Sequence, residues 1–232
     1  MIVPVEDNPT WAASTPCGPI HQEHLQTFSD FLTAAAARYG SAPYNVLHWA
    51  IYNEPDNANS IDFPWLGGCW GAYHPKSAPG AGGAAYANMM SYAYPAIKAG
   101  NPEAQVLLGG LAYEYWYQTD GGPFDYYFLS DLLNAGGAAY FDIINFHYYP
   151  AWAWRWVDPG GDRYKNNIYG KANSILNVVK GISGEDKPIA CTEVGYPTTG
   201  PDGQALVYNE ELSSRYVMQV YARAMFAGIS PI

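Results

Sequence analysis

Basic residues are scarce: 11 Lys and Arg stand against 21 Asp and Glu in 232 residues, a net charge of -10. Such a balance repels phosphate backbones and anionic lipid surfaces, and so argues against nucleic acid or a membrane as partner. Cysteine is also scarce. Cys17, Cys69 and Cys191 form no C-x-x-C pair and no zinc spacing, so a cysteine-held metal is not expected. Cys191 sits in an apolar run and reads as a small buried hydrophobe, whereas Cys17 and Cys69 fall in loops on one face and could pair as a disulfide. No apolar run has spanning length, and Met1 leads straight into Ile-Val-Pro-Val without the charged and apolar regions of a signal peptide.

Aromatic side chains, by contrast, are abundant, with 21 Tyr and 8 Trp, more than a core needs. Some rings should face solvent, where the flat apolar faces of sugars stack on them; otherwise they pack under long loops. A neutral, polyhydroxylated partner suits this surface. The length gives room for one large core, and no shift in composition marks a second domain, so residues 1–232 read as a single unit.

Strands and helices alternate along the chain. A short strand end at Ile2–Val5 precedes a helix from Gln22 to Tyr39, where Leu25, Phe28, Phe31, Leu32 and Ala35 recur at helical spacing and Gly40 supplies a stop. The spacing then predicts strands at Val46–Tyr52, Gln105–Leu111, Asp142–His147 and Pro188–Thr192. Helices are predicted at Ala84–Ala99, Asp125–Asn134, Tyr164–Lys180 and Asn209–Phe226. Strands that are apolar on both faces and alternate with helices call for a parallel sheet covered by helices. From Val46 to the last apolar fragment at Ile229–Ile232 there are four repeats of roughly 46 residues, and the eight units of a closed (β/α)8 barrel do not fit. The expectation is an incomplete TIM barrel, running from about a third strand to the start of an eighth.

Two of the strands stop at a glutamate. Trp49-Ala50-Ile51-Tyr52-Asn53-Glu54-Pro55 ends in an amide, a carboxylate and a proline, and Ile189-Ala190-Cys191-Thr192-Glu193-Val194-Gly195 ends in a second carboxylate. In a parallel barrel the carboxyl ends of the strands open onto one face, so the two carboxylates meet there. A carboxylate pair flanking a bond is what glycoside hydrolysis requires. Glu54 alone could merely cap a helix or face water. Asn53, however, offers a donor for a sugar hydroxyl, and Pro55 removes a backbone donor and keeps Glu54 out of helix. A purely structural Glu193 would need a basic partner, and the nearest in sequence are Lys187 and Arg215. His147 and Tyr149, two apart at the end of a third strand, point to one side and could hold an ionised carboxylate at low pKa.

Other candidates are weaker. His21-Gln22-Glu23-His24 lacks the spacing that puts two imidazoles on one helix face, so no metal is expected there. Gly109-Gly110 and Gly121-Gly122 lack the rest of a phosphate loop, and no motif calls for a cofactor. Glu114 is a rival carboxylate on the same face. Trp152, Trp154 and Trp156 alternate after Pro150, either as a sugar platform or as a cover for the barrel mouth.

Trp49–Asp56, Asn145-Phe146-His147-Tyr148-Tyr149-Pro150 and Thr192-Glu193-Val194-Gly195-Tyr196-Pro197 together resemble a clan A glycoside hydrolase, of the family 39 or family 5 type. The resemblance runs over the whole chain, from Asn8-Pro9-Thr10-Trp11-Ala12 onward. It implies a (β/α)8 barrel that cleaves β-linked oligo- or polysaccharides with retention, Glu54 as acid/base and Glu193 as nucleophile. By the same analogy Asn53 binds the 2-hydroxyl, Tyr149 bonds the nucleophile, His147 lines the reacting subsite, and Trp11 and Trp152 contact substrate. It also implies export of the full-length protein, no cofactor and no metal. Members of the clan usually carry an arginine on an early strand and a tryptophan at the end of the eighth, positions that would lie outside this chain. The alternative function is therefore a carbohydrate-binding barrel fragment with impaired turnover.

Overall fold

Five short parallel strands carry the fold in the computed structural model, which describes residues 2–5, 7–58, 70–72, 80–113, 124–149, 168–195 and 210–230. They are β1 (Ile2–Val5), β2 (His48–Asn53), β3 (Gln105–Gly110), β4 (Ile144–Tyr148) and β5 (Ile189–Val194). One ladder holds β1, β2 and β3 in that order, and a second holds β4 and β5. Two isolated parallel bridges, Leu107 with Ile143 and Leu111 with Phe146, join them. The strands therefore follow one another in space as in sequence. Among the described residues, five longer helices lie between and after them: α1 (Leu25–Tyr39), α2 (Gly83–Gly100), α3 (Phe128–Asn134), α4 (Ile168–Ser183) and α5 (Glu210–Phe226).

The two-residue period of each strand divides its side chains between two buried faces. Trp49, Ile51, Val106, Leu108, Ile144, Phe146, Ile189 and Cys191 join the large core shared with the helices. Ala50, Leu107, Ile143 and Ala190 form a separate small cluster. Burial on both faces is the mark of a parallel sheet wrapped by helices. Helix α2 runs through Pro95 despite the backbone bond that proline cannot make, and its long buried face, Tyr86 to Ile97, packs on α1.

Several boundaries differ from the sequence expectation. Gln22–His24 form a 3-10 turn, so α1 begins at Leu25. Phe31, expected within the apolar stripe of α1, is exposed. Helix α3 begins at Phe128 because the Asp125 carboxylate accepts the backbone N–H of Tyr127 at 2.9 Å and that of Ala72 at 2.8 Å ahead of the first turn. Strand β5 reaches Val194, so Glu193 belongs to the strand rather than following it. Of the last apolar fragment, Ile229 and Ser230 are described and return beside β5, where Ser230 N–H bonds Ile189 O at 3.0 Å. Cys191 is free and buried. Cys17 is disulfide-bonded, whereas Cys69 lies outside the described residues. Among those residues, no helix is long and apolar enough to cross a membrane.

Candidate active site

Strand β2 ends in a strained turn. Tyr52 and Glu54 both adopt positive φ, 65° and 44°, a region that non-glycine residues enter rarely and mostly where surrounding contacts enforce it. Those contacts are present: the Tyr52 hydroxyl donates to Asn8 Oδ1, and the Tyr86 hydroxyl donates to Ile51 O at 2.5 Å while accepting Gly109 N–H at 3.1 Å. The turn directs Glu54 across the strand ends toward β4 and β5, with Asn53 just before it.

A bulge performs the corresponding task on the other side. Phe146 pairs with Cys191 but His147 pairs with Glu193, so Thr192 is an extra residue in β5. Bulges re-aim side chains at sheet edges and functional sites. Here the result is a compact cluster. His147 Nδ1 lies 2.9 Å from Glu54 Oε1 and 3.5 Å from Glu193 Oε2, and one atom from each of the three residues falls within 4.8 Å of the others. The Tyr149 hydroxyl donates to Glu193 Oε2 at 2.9 Å.

The two carboxyl groups occupy different surroundings. Glu54 has 13% of its side chain exposed and Glu193 41%. Burial, helped by the negative charge of Glu193 and opposed by the charge of Lys171, raises the Glu54 pKa to about 7. Burial lowers His147 to about 4, so its ring is neutral near pH 7. Depending on its tautomer, a neutral Nδ1 accepts a bond from protonated Glu54 or donates one to the ionised form. Burial, then the bond to Glu193, raises the Tyr149 hydroxyl above its ordinary range and keeps it a donor.

The sequence expectation for His147 needs correction. Its closer partner is Glu54 rather than the carboxylate that Tyr149 holds. Trp11 is exposed and stands edge-on to the His24 ring at 5.0 Å. It lines a groove of about 740 Å³ with Phe28, Phe31, Tyr39, Trp49 and Tyr52, and neither carboxylate lines that groove. Trp152, Trp154, Trp156 and Glu114 lie outside the described residues. The 3-10 turn at Gln22–His24 brings ligand atoms of His21, Glu23 and His24 within 4.8 Å, although their spacing is wrong for a regular helix face. His21 Nε2 is already engaged with Ser14 Oγ at 3.1 Å. Glu54, His147 and Glu193 are close enough for a cation by distance alone, but the Glu54 and Glu193 oxygens nearest the imidazole already take the hydrogen bonds described above.

No family model matches the chain, and no curated protein matches it. Solved structures do. A family 39 glycoside hydrolase from Bacteroides cellulosilyticus WH2 superposes with TM-score 0.59 at 19% identity over 95% of this chain and 38% of that one. A glucosidase from Croceicoccus marinus gives 0.58 at 14% identity, over 91% and 38%. The GH53 catalytic domain of Ignisphaera aggregans gives 0.52 at 19%, over 98% and 59%. The chain shares its fold with glycoside hydrolases. It spans 38% to 59% of the length of these structures. The resemblance to clan A glycoside hydrolases thus holds at the level of the fold.

Within this glycoside-hydrolase fold, three glycines make room for the cluster. A Cβ on Gly110 would sit 1.9 Å from His147 Nε2, one on Gly109 2.6 Å from the Ile51 and Tyr52 carbonyls, and one on Gly195 2.7 Å from the Tyr149 ring. The paired glycines at the end of β3 are the one legible trace of this need. Two buried charges behind the cluster, Asp56 and Lys171, are absent from the sequence reading. An aspartate after Pro55 and a lysine within an apolar helix pattern were the available signals.

Proposed function

We propose that the chain is part of a (β/α)8 barrel and acts as a retaining glycoside hydrolase on β-linked oligo- or polysaccharides. The observation that carries this reading is the approach of two carboxyl groups in unlike environments at the ends of β2 and β5. A spacing within 4.8 Å between their oxygens accords with the roughly 5–5.5 Å of retaining enzymes and falls short of the roughly 6.5–9.5 Å that leaves room for a water in inverting ones. A carboxyl raised to about 7 is suited to give up a proton near neutrality, and the more exposed partner, held by Tyr149, is suited to attack.

In the first step Glu193 attacks the anomeric carbon. The glycosidic C–O bond breaks, and the leaving oxygen takes the proton of Glu54. In the second, Glu54 accepts a proton from water as the water oxygen displaces Glu193, releasing a sugar of unchanged configuration. Asn53 is placed by this reading at the 2-hydroxyl.

The test is the intact mass of the folded chain after incubation with activated 2-deoxy-2-fluoro glycosides, followed by peptide mapping. An adduct on Glu193 is the expected result; an adduct on another carboxylate, or none from any sugar, overturns the assignment. The second reading, a carbohydrate-binding fragment with impaired turnover, draws on the partial span of the chain against the solved structures. It predicts heat of binding with oligosaccharides in calorimetry and no released sugar.

A further inference from the structure

Behind Glu54 lies a closed circuit of buried polar groups that the proposed reaction does not itself use. Asp56, two residues after Glu54, has no exposed surface. Its carboxylate accepts the backbone N–H of Ala112 at 3.0 Å and that of Tyr113 at 2.8 Å. Lys171, on α4, is 4% exposed. Its ammonium donates to Ala112 O at 3.2 Å and to His147 O at 2.7 Å. The Ala112 residue is therefore held at both ends, by Asp56 at its N–H and by Lys171 at its carbonyl. The same ammonium fixes the backbone of the residue whose ring reaches Glu54.

Resting on the proposed glycosidase reading, we propose that Lys171 and Asp56 are positioning residues that clamp His147 and Glu54 through the Ala112 main chain. Burying ionisable side chains is a weak source of stability, and apolar residues of similar volume serve a core as well or better. The hydrogen bonds of Asp56 and Lys171 go to main-chain groups flanking the cluster, where a fixed geometry matters. The charge of Lys171 also bears on the site, since it opposes the rise of the Glu54 and Asp56 pKa values and helps depress that of His147. Among the described residues, the other titratable groups around the clamp are Tyr149 on the β4 side and Glu193 on β5, with Tyr86 facing Asp56 from α2 and Asp125, whose N–H bonds Asp56 O at 2.7 Å, ahead of α3. The helices packed on α4 bury apolar side chains, Phe128, Leu129, Leu132 and Leu133 of α3 and Val220 and Ala224 of α5.

The experiment is Lys171→Met, read by the NMR titration of the Glu54 side-chain carboxyl, assigned with Glu54→Gln, and by the pH profile of kcat. Loss of the ammonium should move the Glu54 midpoint and the alkaline limb of kcat upward together by about one unit. A folded Lys171→Met in which neither moves overturns the clamp. Where that variant does not fold, the reciprocal measurement serves: the Lys171 Nζ resonance of the unmodified chain should show a titration step near pH 7 that shrinks in Glu54→Gln. A step of equal size in both overturns the proposal. The NMR arms need no turnover. A chain that cleaves no glycoside but shows the shift therefore refutes the glycosidase reading alone, and one that cleaves glycosides without the shift refutes the clamp alone.

Discussion

The ends of β2 and β5 carry the same local sequence idea, an apolar strand reaching a glutamate, and turn it into two opposite environments. β2 is paired on both sides, by β1 and β3, and its exit is forced through two positive-φ residues. Buried Asp56 follows it, and Glu54 is left largely out of water. β5 is paired with β4 and touched by Ser230 on its other side. It is bulged at Thr192 and leaves Glu193 more open. Desolvation raises a carboxyl pKa, while donors aimed at the ionised form favour the charge. The β2 end thus raises its carboxyl toward neutrality by burial, while the β5 end presents a more open carboxyl that accepts the Tyr149 hydroxyl. Environment, rather than residue type, separates the two glutamates.

The largest way to break this contrast is to remove the charge at β5. Glu193→Gln should abolish the fluoro-glycoside adduct and lower kcat by more than about 10⁴-fold, since a nucleophile has no substitute in the two-step route. Glu54→Gln should cost less, about 10²–10⁴-fold. Its deficit should shrink for substrates whose leaving groups need no proton, because for them the first step no longer depends on Glu54. Equal losses on good and poor leaving groups would contradict the assignment of the proton to the β2 end.

A third change acts on the residue between the two ends. Gly110→Ala puts a methyl 1.9 Å from His147 Nε2, and the ring, buried and held by its own backbone, has little room to retreat. The variant should lose about 1–3 kcal/mol of stability through overpacking and move His147 away from Glu54. Chemical denaturation and the His147 ring resonances check both. An unchanged His147 environment would show that β3 does not set its position.

Much of this architecture was legible in the chain. Runs apolar on both faces and the alternation of strands with helices pointed to five parallel strands, because a sheet covered by helices buries both faces of its strands. The two glutamates, His147 and Tyr149 were legible for the same reason, as strand-end residues that a parallel sheet gathers on one face. The clamp was not. Lys171 lies in a helix whose apolar spacing says only that it is buried, and its partners are backbone carbonyls, which no side-chain pattern announces. The closer bond of His147 was also hidden, because it depends on positive φ at Glu54 and on the bulge at Thr192. Both are tertiary outcomes of packing rather than local preferences. Trp11 was expected to contact substrate by analogy with the clan, and it lines a groove that includes neither carboxylate.

The smallest expected effect concerns stability rather than rate. In the folded chain the Glu54 pKa is raised from 4.5 to about 7. Between those values the folded state holds a proton that the unfolded state has released, and stability falls as pH rises. Asp56, raised from 3.8 to about 7, adds to the same slope. His147, lowered from 6.5 to about 4, works against it: between those limits the unfolded chain binds the extra proton, so its contribution to stability grows with pH. Asp125, raised from 3.8 to about 6, adds to the slope below that pH. The carboxyls outweigh the one imidazole throughout, so stability should fall as pH rises from about 5 to about 7. Glu54→Gln removes one carboxyl, so its stability relative to the parent should improve as pH rises from about 5 to about 7. Urea unfolding at matched ionic strength reads this directly. A difference between the two proteins that stays constant across that window would mean that Glu54 titrates at an ordinary pH, and the contrast between the β2 and β5 ends would lose its electrostatic basis.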